Sequence, residues 1–318
     1  MTESLGIKET VSAAEAAAGR DKLRGLLMSI YEGEAGYMVL IRDVLDYGVD
    51  VPDRTGVGSR ALFDAKVVFD LREQHVMSTA RPFPPRLAFE EFWFFLRGET
   101  QTKRLEEKGV NFWKANTTRE FLDKRGLTDL PEGEMGRSYG AQARRYGKTG
   151  FDQIQAVYDG LRNDPYGRRH YVTWWNPEES HLMALTPCWH SHQFVVLPGE
   201  DGVDELHLKL LNRSLDSVIG SLGAFTQYSL YQLAMAELLG MRAGRLSADL
   251  THVHVYHNQF NFAREIIERE LGVPGVVSFN KPLKSLDDLI GLSWDDITID
   301  GLRVNKAPIA TPRPEMAQ

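Results

Sequence analysis

Apolar residues recur at helical spacing in several segments of the chain. In residues 37–47, Leu40, Ile41, Val44 and Leu45 share one face, and Gly48 follows as a stop signal. The same periodicity predicts helices over residues 86–96, 151–163, 225–239 and 257–270. The apolar face of residues 225–239 is wide, which is typical of a central, buried helix.

Alternation of apolar and polar residues predicts strands between these helices. In residues 62–71, one face would carry Phe63, Ala65, Val67, Phe69 and Leu71, while charged side chains lie on the other. Further strands are predicted over residues 169–175, 193–197, 205–212 and 251–256. The turn-forming residues 198–202 would join two of these strands in a hairpin.

The order of these elements predicts one α+β domain, because the chain has no internal repeat, no low-complexity linker and no break in composition. We expect the domain to cover residues 36–310, with an N-terminal extension at 1–35 and a C-terminal tail at 311–318. An Ala-rich run from Ser12 to Ala18 predicts a helix in the extension. A packing or oligomer-contact role is expected for it rather than a catalytic one.

The composition is that of an ordinary globular chain. The 318 residues are 42% hydrophobic and 25% charged, with a formal net charge of -7. This charge argues against a general nucleic-acid-binding protein, which needs an excess of Lys and Arg. One cysteine fits a reducing compartment, and no apolar run is long enough to span a bilayer. We therefore predict a cytoplasmic protein with no membrane partner.

The single cysteine, Cys188, lies between two predicted strands in a stretch rich in basic, polar and aromatic residues. Trp189, His190 and His192 follow it, and Arg169 precedes it. Nearby positive charge stabilises a thiolate, so Cys188 is a candidate nucleophile. The alternative is a buried cysteine that packs as a small apolar side chain, and this stretch alone leaves both readings open.

Two other segments carry candidate chemistry. The loop at residues 52–59 holds two glycines, hydroxyl groups and Arg54, which suit either a phosphate site or a plain turn. Glu90 and Glu91 lie among aromatic residues in the helix predicted over 86–96. Desolvation would raise a carboxyl pKa there and suit it to proton transfer, whereas for one of the two we expect a carboxylate at the helix surface.

Three histidines fall within residues 252–257, but no acidic residue lies at ligand spacing and the chain has no second cysteine. Metal binding is therefore not predicted.

A series of spaced motifs resembles the thymidylate synthase family from about residue 37 to residue 310. The motifs are Asp53-Arg-Thr-Gly, Glu91 before an aromatic helix, Arg168-Arg169, Trp175-Asn-Pro, Pro187-Cys188, Arg213-Ser-x-Asp216, His254-x-Tyr256 and Lys306-Ala-Pro308. The resemblance implies a mostly antiparallel sheet flanked by helices in a single domain. It also implies a homodimer formed through the sheet.

The resemblance implies a reaction and the residues that perform it. In this family a cysteine thiolate adds to C6 of a pyrimidine nucleotide, and C5 then attacks the methylene group of 5,10-methylenetetrahydrofolate. The catalytic residues implied are Cys188, Glu91, Tyr139 and Arg213, the last favouring the thiolate. The folate contacts implied are Trp113, Asp216 and Gly220.

The nucleotide contacts implied by the resemblance fall around the phosphate, the sugar and the base. Arg54, Arg213 and Ser214 would hold the phosphate, and Arg168 and Arg169 would reach the phosphate bound by the other subunit of the homodimer. The remaining nucleotide contacts are His254 and Tyr256 at the sugar 3′-hydroxyl, with Gln193 and Ala224 in the nucleotide pocket.

Three features depart from the family pattern. The synthases carry an asparagine that pairs with uracil, and the dCMP hydroxymethylases an aspartate, where an ungapped alignment from Gly220 to Tyr228 places Ala224. Trp189 replaces the histidine after the nucleophile, and His252 stands where aspartate is usual. The chain also continues past residue 310, near where the synthases end in a carboxylate that seals the folate site, so we expect a more open site.

These departures predict an altered substrate or product rather than a loss of activity. Without the asparagine that reads uracil we favour a cytosine nucleotide, and an open site favours attack by water over hydride donation. The predicted enzyme is a (deoxy)cytidylate 5-hydroxymethylase, with thymidylate synthase or dUMP hydroxymethylase as the alternative. The sequence does not distinguish a ribose substrate from a deoxyribose substrate. A silent nucleotide- or RNA-binding regulator is disfavoured because Cys188 and Glu91 are both present.

Overall fold

The computed structural model describes residues 30–314 of the chain. The helix predicted from Ser12 to Ala18 lies outside the described residues, as do residues 315–318 and the side chain of Leu222. Residues 30–35, which we assigned to the N-terminal extension, form the first described strand and the start of the first described helix.

The described helices largely follow the predicted periodicity. They are α1 (Gly33–Tyr47), α2 (Pro85–Leu96), α3 (Lys103–Glu106), α4 (Arg119–Lys124), α5 (Tyr139–Arg144), α6 (Gln153–Asn163), α7 (Ser221–Leu239), α8 (Phe260–Ile267) and α9 (Leu286–Ile290). The helices predicted over 37–47, 86–96, 151–163 and 225–239 are confirmed. The one predicted over 257–270 begins as the 3₁₀ turn His257–Gln259 and ends as α8.

The described strands include all of those predicted; the one over 205–212 has the predicted bounds, and the others differ in their bounds. They are β1 (Ile30–Glu32), β2 (Val49–Val51), β3 (Ser59–Asp70), β4 (Tyr171–Thr173), β5 (Trp189–Leu197), β6 (Glu205–Asn212), β7 (Leu215–Asp216), β8 (Arg242–Tyr256), β9 (Val276–Phe279) and β10 (Ile297–Asp300). Strands β5 and β6 form the predicted hairpin, in a register that pairs Leu197 with Glu205.

The main sheet is mixed, so the expectation of a mostly antiparallel sheet is wrong. Its order is β1-β3-β8-β6-β5-β4, with β2 added to β3 and β7 added to β8. The pairs β1–β3, β6–β8 and β7–β8 are parallel, and the other four are antiparallel. Parallel neighbours need a crossover, and α7 supplies it between β6 and β8.

Helix α7 packs in the centre of the fold, as its wide apolar face predicted. Phe225, Leu230, Tyr231 and Met235 on this 19-residue helix are all fully buried. The helix ends at Gly240, whose φ of 67° is a left-handed conformation that glycine adopts without steric cost. The chain can therefore turn sharply and return through the sheet as β8.

Strand β3 departs from its predicted pattern at one point. Ala65, Val67 and Phe69 face the core as expected, but Phe63 is 73% exposed. Asp64 has a φ of 63°, which interrupts the alternation of side chains along an extended strand. Phe63 consequently lies outside the core although its sequence position predicted the inner face.

No helix within residues 30–314 is long and apolar enough to cross a membrane. The cytoplasmic location stays a prediction.

His192 lies on β5 with its ring surrounded by aromatic rings. The ring centroids of Trp174 and Tyr228 are 5.5 Å from that of the imidazole, and those of Phe194 and Tyr231 are 5.8 Å away. Neither ring nitrogen has a hydrogen-bond partner in the described part of the chain. Burial lowers the pKa of His192 to about 3, because a charged imidazolium would lose its hydration there.

We expect His192 to make the fold sensitive to acid. Its folded pKa lies below its unfolded value of 6.5, so protons bind the unfolded chain preferentially as the pH falls below that value. The variant His192→Phe keeps the ring and loses no hydrogen bond. The unfolding free energy of the natural chain should fall between pH 7 and pH 5. In His192→Phe this fall should be about 2 kcal/mol smaller.

Urea unfolding at the two pH values measures this effect. His181→Ala, which alters an exposed histidine, is the control and should keep the pH dependence of the natural chain. Equal pH dependence in His192→Phe and the natural chain would contradict the prediction.

Candidate active site

A cavity of about 270 Å³ brings together parts of α2, α5, α7, β7 and the start of β5. Its lining includes eight of the predicted site residues: Cys188, Glu91, Tyr139, Ser214, Ala224, Trp113, Asp216 and Gly220. These residues are far apart in the sequence, so the tertiary fold is what assembles them.

Cys188 immediately precedes β5, and its thiol is exposed to the cavity. Its backbone is held from two sides. The Cys188 N–H donates to the Tyr139 hydroxyl oxygen at 3.0 Å, and the Cys188 carbonyl accepts from the Arg213 N–H at 3.0 Å. An accessible thiol on a fixed backbone fits a nucleophile better than a buried apolar packing residue.

The Arg213 guanidinium is held beside the thiol. Its Nη2 lies 3.9 Å from Cys188 Sγ, while Nε donates to the Pro187 carbonyl at 2.8 Å and Nη2 to the Thr186 carbonyl at 3.0 Å. Surrounding protein raises the pKa of Cys188 by desolvation, and the positive charges of Arg213 and Arg54 oppose that rise. Arg213 therefore favours the thiolate as predicted, although desolvation has the larger effect.

Glu91 is a desolvated acid, as predicted. Its carboxylate accepts a hydrogen bond from Trp113 Nε1 at 2.6 Å and another from Gln227 Nε2. Burial raises the pKa of Glu91 to about 7, against these two hydrogen bonds. A carboxyl group that titrates near neutral pH can both accept and donate a proton. Glu90 instead forms an ion pair with Lys108 at 2.6 Å.

Tyr139 begins α5 and connects the acid to the nucleophile. Its ring stacks on Phe95 with centroids 4.7 Å apart, and it meets Trp113 edge-on at 5.7 Å. Burial raises the pKa of Tyr139 well above 10, so the phenol stays neutral. Its oxygen accepts from the Cys188 N–H, which leaves the hydroxyl proton free to be donated.

Asp216 is fixed where β7 leads into α7. One carboxylate oxygen accepts from the Val218 and Ile219 N–H groups, both at 3.1 Å, and the other accepts from Gln259 Nε2 at 3.0 Å. Its backbone pairs with that of His254 on β8. The carboxylate thus has a set orientation in the cavity lining.

His254 and Tyr256 lie beside the cavity and do not line it. Their ring centroids on β8 are 4.9 Å apart. Burial raises the pKa of Tyr256, and its hydroxyl also feels the charges of Asp216 and Arg54. His252 precedes them on the same face, with its Nδ1 at 3.2 Å from that of His254.

The remaining predicted contacts do not line the cavity of the single chain. Arg54 is exposed in the loop before β3, although its charge lowers the pKa of Cys188. Arg168 and Arg169 are exposed just before β4. Gln193 lies on β5, and its Nε2 donates to the Arg168 carbonyl at 3.1 Å.

The cavity lining also contains polar residues that the sequence analysis did not single out. Gln227, Asn212 and Asn116 contribute amide groups. Gln227 follows Ala224 by three positions on α7, so helical periodicity was a signal that could have placed both on one face. Nothing in the sequence pattern marked Asn116.

Two of the departures from the family pattern lie in the cavity wall. Ala224 is 6% exposed and lines the cavity. Trp189 lines it too, with its ring 5.3 Å from that of Phe225 and 5.8 Å from that of Tyr228. The cavity wall is therefore apolar at both positions.

The start of the C-terminal tail lies against the cavity. The N–H groups of Ala310 and Thr311 donate to the Glu265 carboxylate at 2.5 and 2.8 Å, and Arg313 lines the cavity. The expectation of a more open site stays a prediction; the tail is held on α8 through Glu265 and contributes Arg313 to the cavity lining.

The fold and the cavity together define an α+β enzyme whose cavity is lined by an exposed thiol and a carboxyl group with a pKa of about 7. Residues 35–311 match the thymidylate synthase family. The chain is 33% identical over 297 residues to thymidylate synthase of Ascaris suum, which covers 89% of this chain and 98% of that protein. It is 30% identical over 280 residues to thymidylate synthase of varicella-zoster virus (strain Dumas), covering 85% and 90%.

A third relative is the bifunctional dihydrofolate reductase-thymidylate synthase of Leishmania major, 35% identical over 268 residues that cover 80% of this chain and 51% of that protein. The chain belongs to the thymidylate synthase family, as the motifs indicated. It is therefore a methyltransferase-class enzyme of a family that uses 5,10-methylenetetrahydrofolate as co-substrate.

One end of the cavity fits the ring system of that folate. Phe83 and Phe112 stack with centroids 6.3 Å apart and planes 18° apart, and Trp113 continues this aromatic wall. Phe83 approaches α7 closely because position 223 is glycine, where a Cβ would lie 2.8 Å from the Phe83 ring. An aromatic wall in a cavity that Asp216 also lines suits a fused ring with N–H donors.

Within residues 30–314, no group of three His, Cys, Asp or Glu side chains is placed to hold a metal ion.

We expect Arg213 to control the reactivity of Cys188. Loss of its charge in Arg213→Ala should raise the pKa of Cys188 further, because desolvation would then be less opposed. Alkylation by iodoacetamide at neutral pH should slow by roughly 3- to 10-fold, and the midpoint of its pH profile should move upward.

Arg213→Lys is the matched variant, since it keeps the charge while losing the fork of hydrogen bonds. It should alkylate faster than Arg213→Ala. If the two variants and the natural enzyme share one midpoint, Arg213 does not tune the thiol.

Proposed function

We propose that the enzyme transfers a one-carbon unit to C5 of a cytosine nucleoside monophosphate and releases the 5-hydroxymethyl product. The observation that carries this proposal is the methyl group of Ala224 in the cavity wall. The resemblance expects at this position an asparagine that pairs with uracil. An alanine offers no hydrogen bond, so it does not select uracil.

Cys188 and its neighbours supply the covalent part of the reaction. Addition of Cys188 Sγ to C6 removes the ring double bond and makes C5 nucleophilic, while Arg213 stabilises the attacking thiolate. Bound methylenetetrahydrofolate supplies the carbon that C5 takes up. Glu91 then accepts the proton that leaves C5, a role that suits its pKa of about 7, and tetrahydrofolate leaves. Water adds to the exocyclic carbon, and the Cys188 Sγ–C6 bond breaks to restore the ring double bond. Tyr139 holds the Cys188 backbone during these steps.

The polar part of the cavity lining supports a hydroxymethyl product. Water that attacks the transferred carbon gives a hydroxymethyl group, whereas a hydride gives a methyl group. Asn116, Asn212 and Gln227 line the cavity together with Glu91 and provide hydrogen-bonding groups that can hold a water molecule.

Thymidylate synthase activity, the methylation of dUMP, is the second candidate. The relatives from Ascaris suum and varicella-zoster virus are both named thymidylate synthase. The tail that reaches the cavity through Arg313 also favours this candidate, because a covered site restricts the entry of water. In this case a group other than residue 224 would read uracil.

A product assay separates the two candidates. The enzyme is incubated with methylenetetrahydrofolate and, in parallel, with dUMP, dCMP, UMP and CMP, and the products are identified by mass spectrometry. We expect a hydroxymethyl group on a cytosine nucleotide, with tetrahydrofolate formed. Cys188→Ser is the control and should give no product.

A methyl group on dUMP, with dihydrofolate formed, would establish the second candidate instead. A hydroxymethyl group on dUMP would support attack by water and would show that the substrate base is uracil and not cytosine. Activity on both CMP and dCMP would mean that the sugar is not discriminated.

We further propose that the enzyme is a homodimer joined through the sheet, with a site shared between subunits. Arg168 and Arg169 are exposed before β4 and do not line their own cavity. The outer face of the sheet carries the charged residues Lys66, Lys209 and Asp249, which pair with one another within one chain. Arginines that reach across such an interface would complete the phosphate site of the other subunit.

Subunit mixing tests the shared site. Cys188→Ser and the double variant Arg168→Ala/Arg169→Ala should each be nearly inactive. After dissociation and reassociation in equal amounts, half of the dimers would carry one intact site, so activity should return to about one quarter of the natural level.

Mixing Cys188→Ser with Glu91→Gln is the matched control. One chain supplies both groups of each site, so a heterodimer of these two variants has no intact site. Each of its two cavities lacks one group, and activity should stay low. Low activity in the arginine mixture as well would reject the shared site.

A further inference from the structure

The base reader that is absent at position 224 is replaced one helical turn further along α7. We propose that Gln227 reads the C4 substituent of the pyrimidine base, and that Glu91 fixes its amide so that the carbonyl oxygen is presented to the base. This inference rests on the proposed one-carbon transfer at Cys188 and deepens it, because it assigns the residue that selects the base.

The position of Gln227 suits this role. Gln227, Ala224, Glu91 and Cys188 line the same cavity, and Gln227 is 7% exposed. Ala224 and Gln227 are three residues apart on α7, so they occupy one face of the helix. A longer side chain at 227 can therefore reach the space that a reader at 224 would have filled.

Glu91 determines which end of the amide faces the cavity. Gln227 Nε2 donates to one Glu91 oxygen, and the other Glu91 oxygen accepts from Trp113 Nε1 at 2.6 Å. With its nitrogen held by the carboxylate, the amide presents Oε1 on the opposite side. No hydrogen-bond donor among residues 30–314 contacts Oε1, and this oxygen is not sealed from solvent.

An acceptor at this point discriminates between the two bases. The amino group at C4 of cytosine donates a hydrogen bond, whereas the oxygen at C4 of uracil is an acceptor. A uracil bound here would set two acceptors against each other in a desolvated cavity and leave both without a partner. A glutamine free to rotate would read either base, and the bond to Glu91 removes that freedom.

The experiment compares kcat/KM for cytosine and uracil nucleotides in the natural enzyme and in Gln227→Met, whose side chain has similar length and no amide. We expect the natural enzyme to favour cytosine. In Gln227→Met the ratio of cytosine to uracil kcat/KM should fall by roughly 10- to 100-fold. The ratio is insensitive to a lower fraction of folded enzyme, because this affects the two substrates equally.

Gln232→Met is the matched control on the same helix. The Gln232 amide donates to the Leu206 and Arg245 carbonyls and does not line the cavity. Its loss should lower stability and leave the base ratio unchanged. A double variant, Ala224→Asn/Gln227→Met, moves an unanchored amide back to position 224 and should raise uracil kcat/KM above that of Gln227→Met.

Two outcomes overturn the inference and differ from a failure of the proposed function. An unchanged base ratio in Gln227→Met, with product still formed, rejects Gln227 as the reader and leaves the reaction intact. If the natural enzyme favours uracil, Gln227 does not present its carbonyl oxygen to the base. If no pyrimidine nucleotide gives product or binds to Cys188→Ser by calorimetry, the proposed function itself fails and the inference fails with it.

Discussion

The parallel pairing of β6 with β8 is the constraint on which the cavity depends. Two parallel neighbours cannot be joined by a tight turn, so the chain must leave the sheet and return. It does so through α7, whose residues 223–232 are buried and which ends at the left-handed Gly240. The start of this helix carries Gly220, Ala224 and Gln227 to the cavity of Cys188.

Desolvation and charge oppose each other throughout that cavity. Burial raises the pKa values of both Cys188 and Glu91, which disfavours the charged forms that covalent catalysis uses. Arg213 opposes the effect at the thiol, and the hydrogen bonds from Trp113 and Gln227 oppose it at the carboxylate. Glu91 is therefore an acid that changes protonation near neutral pH.

Membership of the thymidylate synthase family establishes the class of reaction, and the cavity wall carries the specificity. Hydrogen bonds hold the residues around the nucleophile. By contrast, Ala224, Trp189 and Arg313 line the cavity at positions where the chain departs from the family pattern. Gln227 links the cavity wall to Glu91. Its hydrogen bond to Glu91 lowers the pKa of that carboxyl group and also orients the Gln227 amide.

The sequence by itself determined most of the helices, the β5–β6 hairpin, the family and the desolvated Glu91, because local periodicity and spaced motifs encode them. The parallel pairing of β6 with β8 could not be predicted from the sequence, because the relative direction of two strands depends on how the chain connects them over a long distance. Phe63 was misplaced because a left-handed residue at Asp64 leaves no mark in the hydrophobic pattern. Only the tertiary structure brought Asn116, Gln227 and Arg313 beside Cys188, because residues distant in sequence meet where helices and strands pack together.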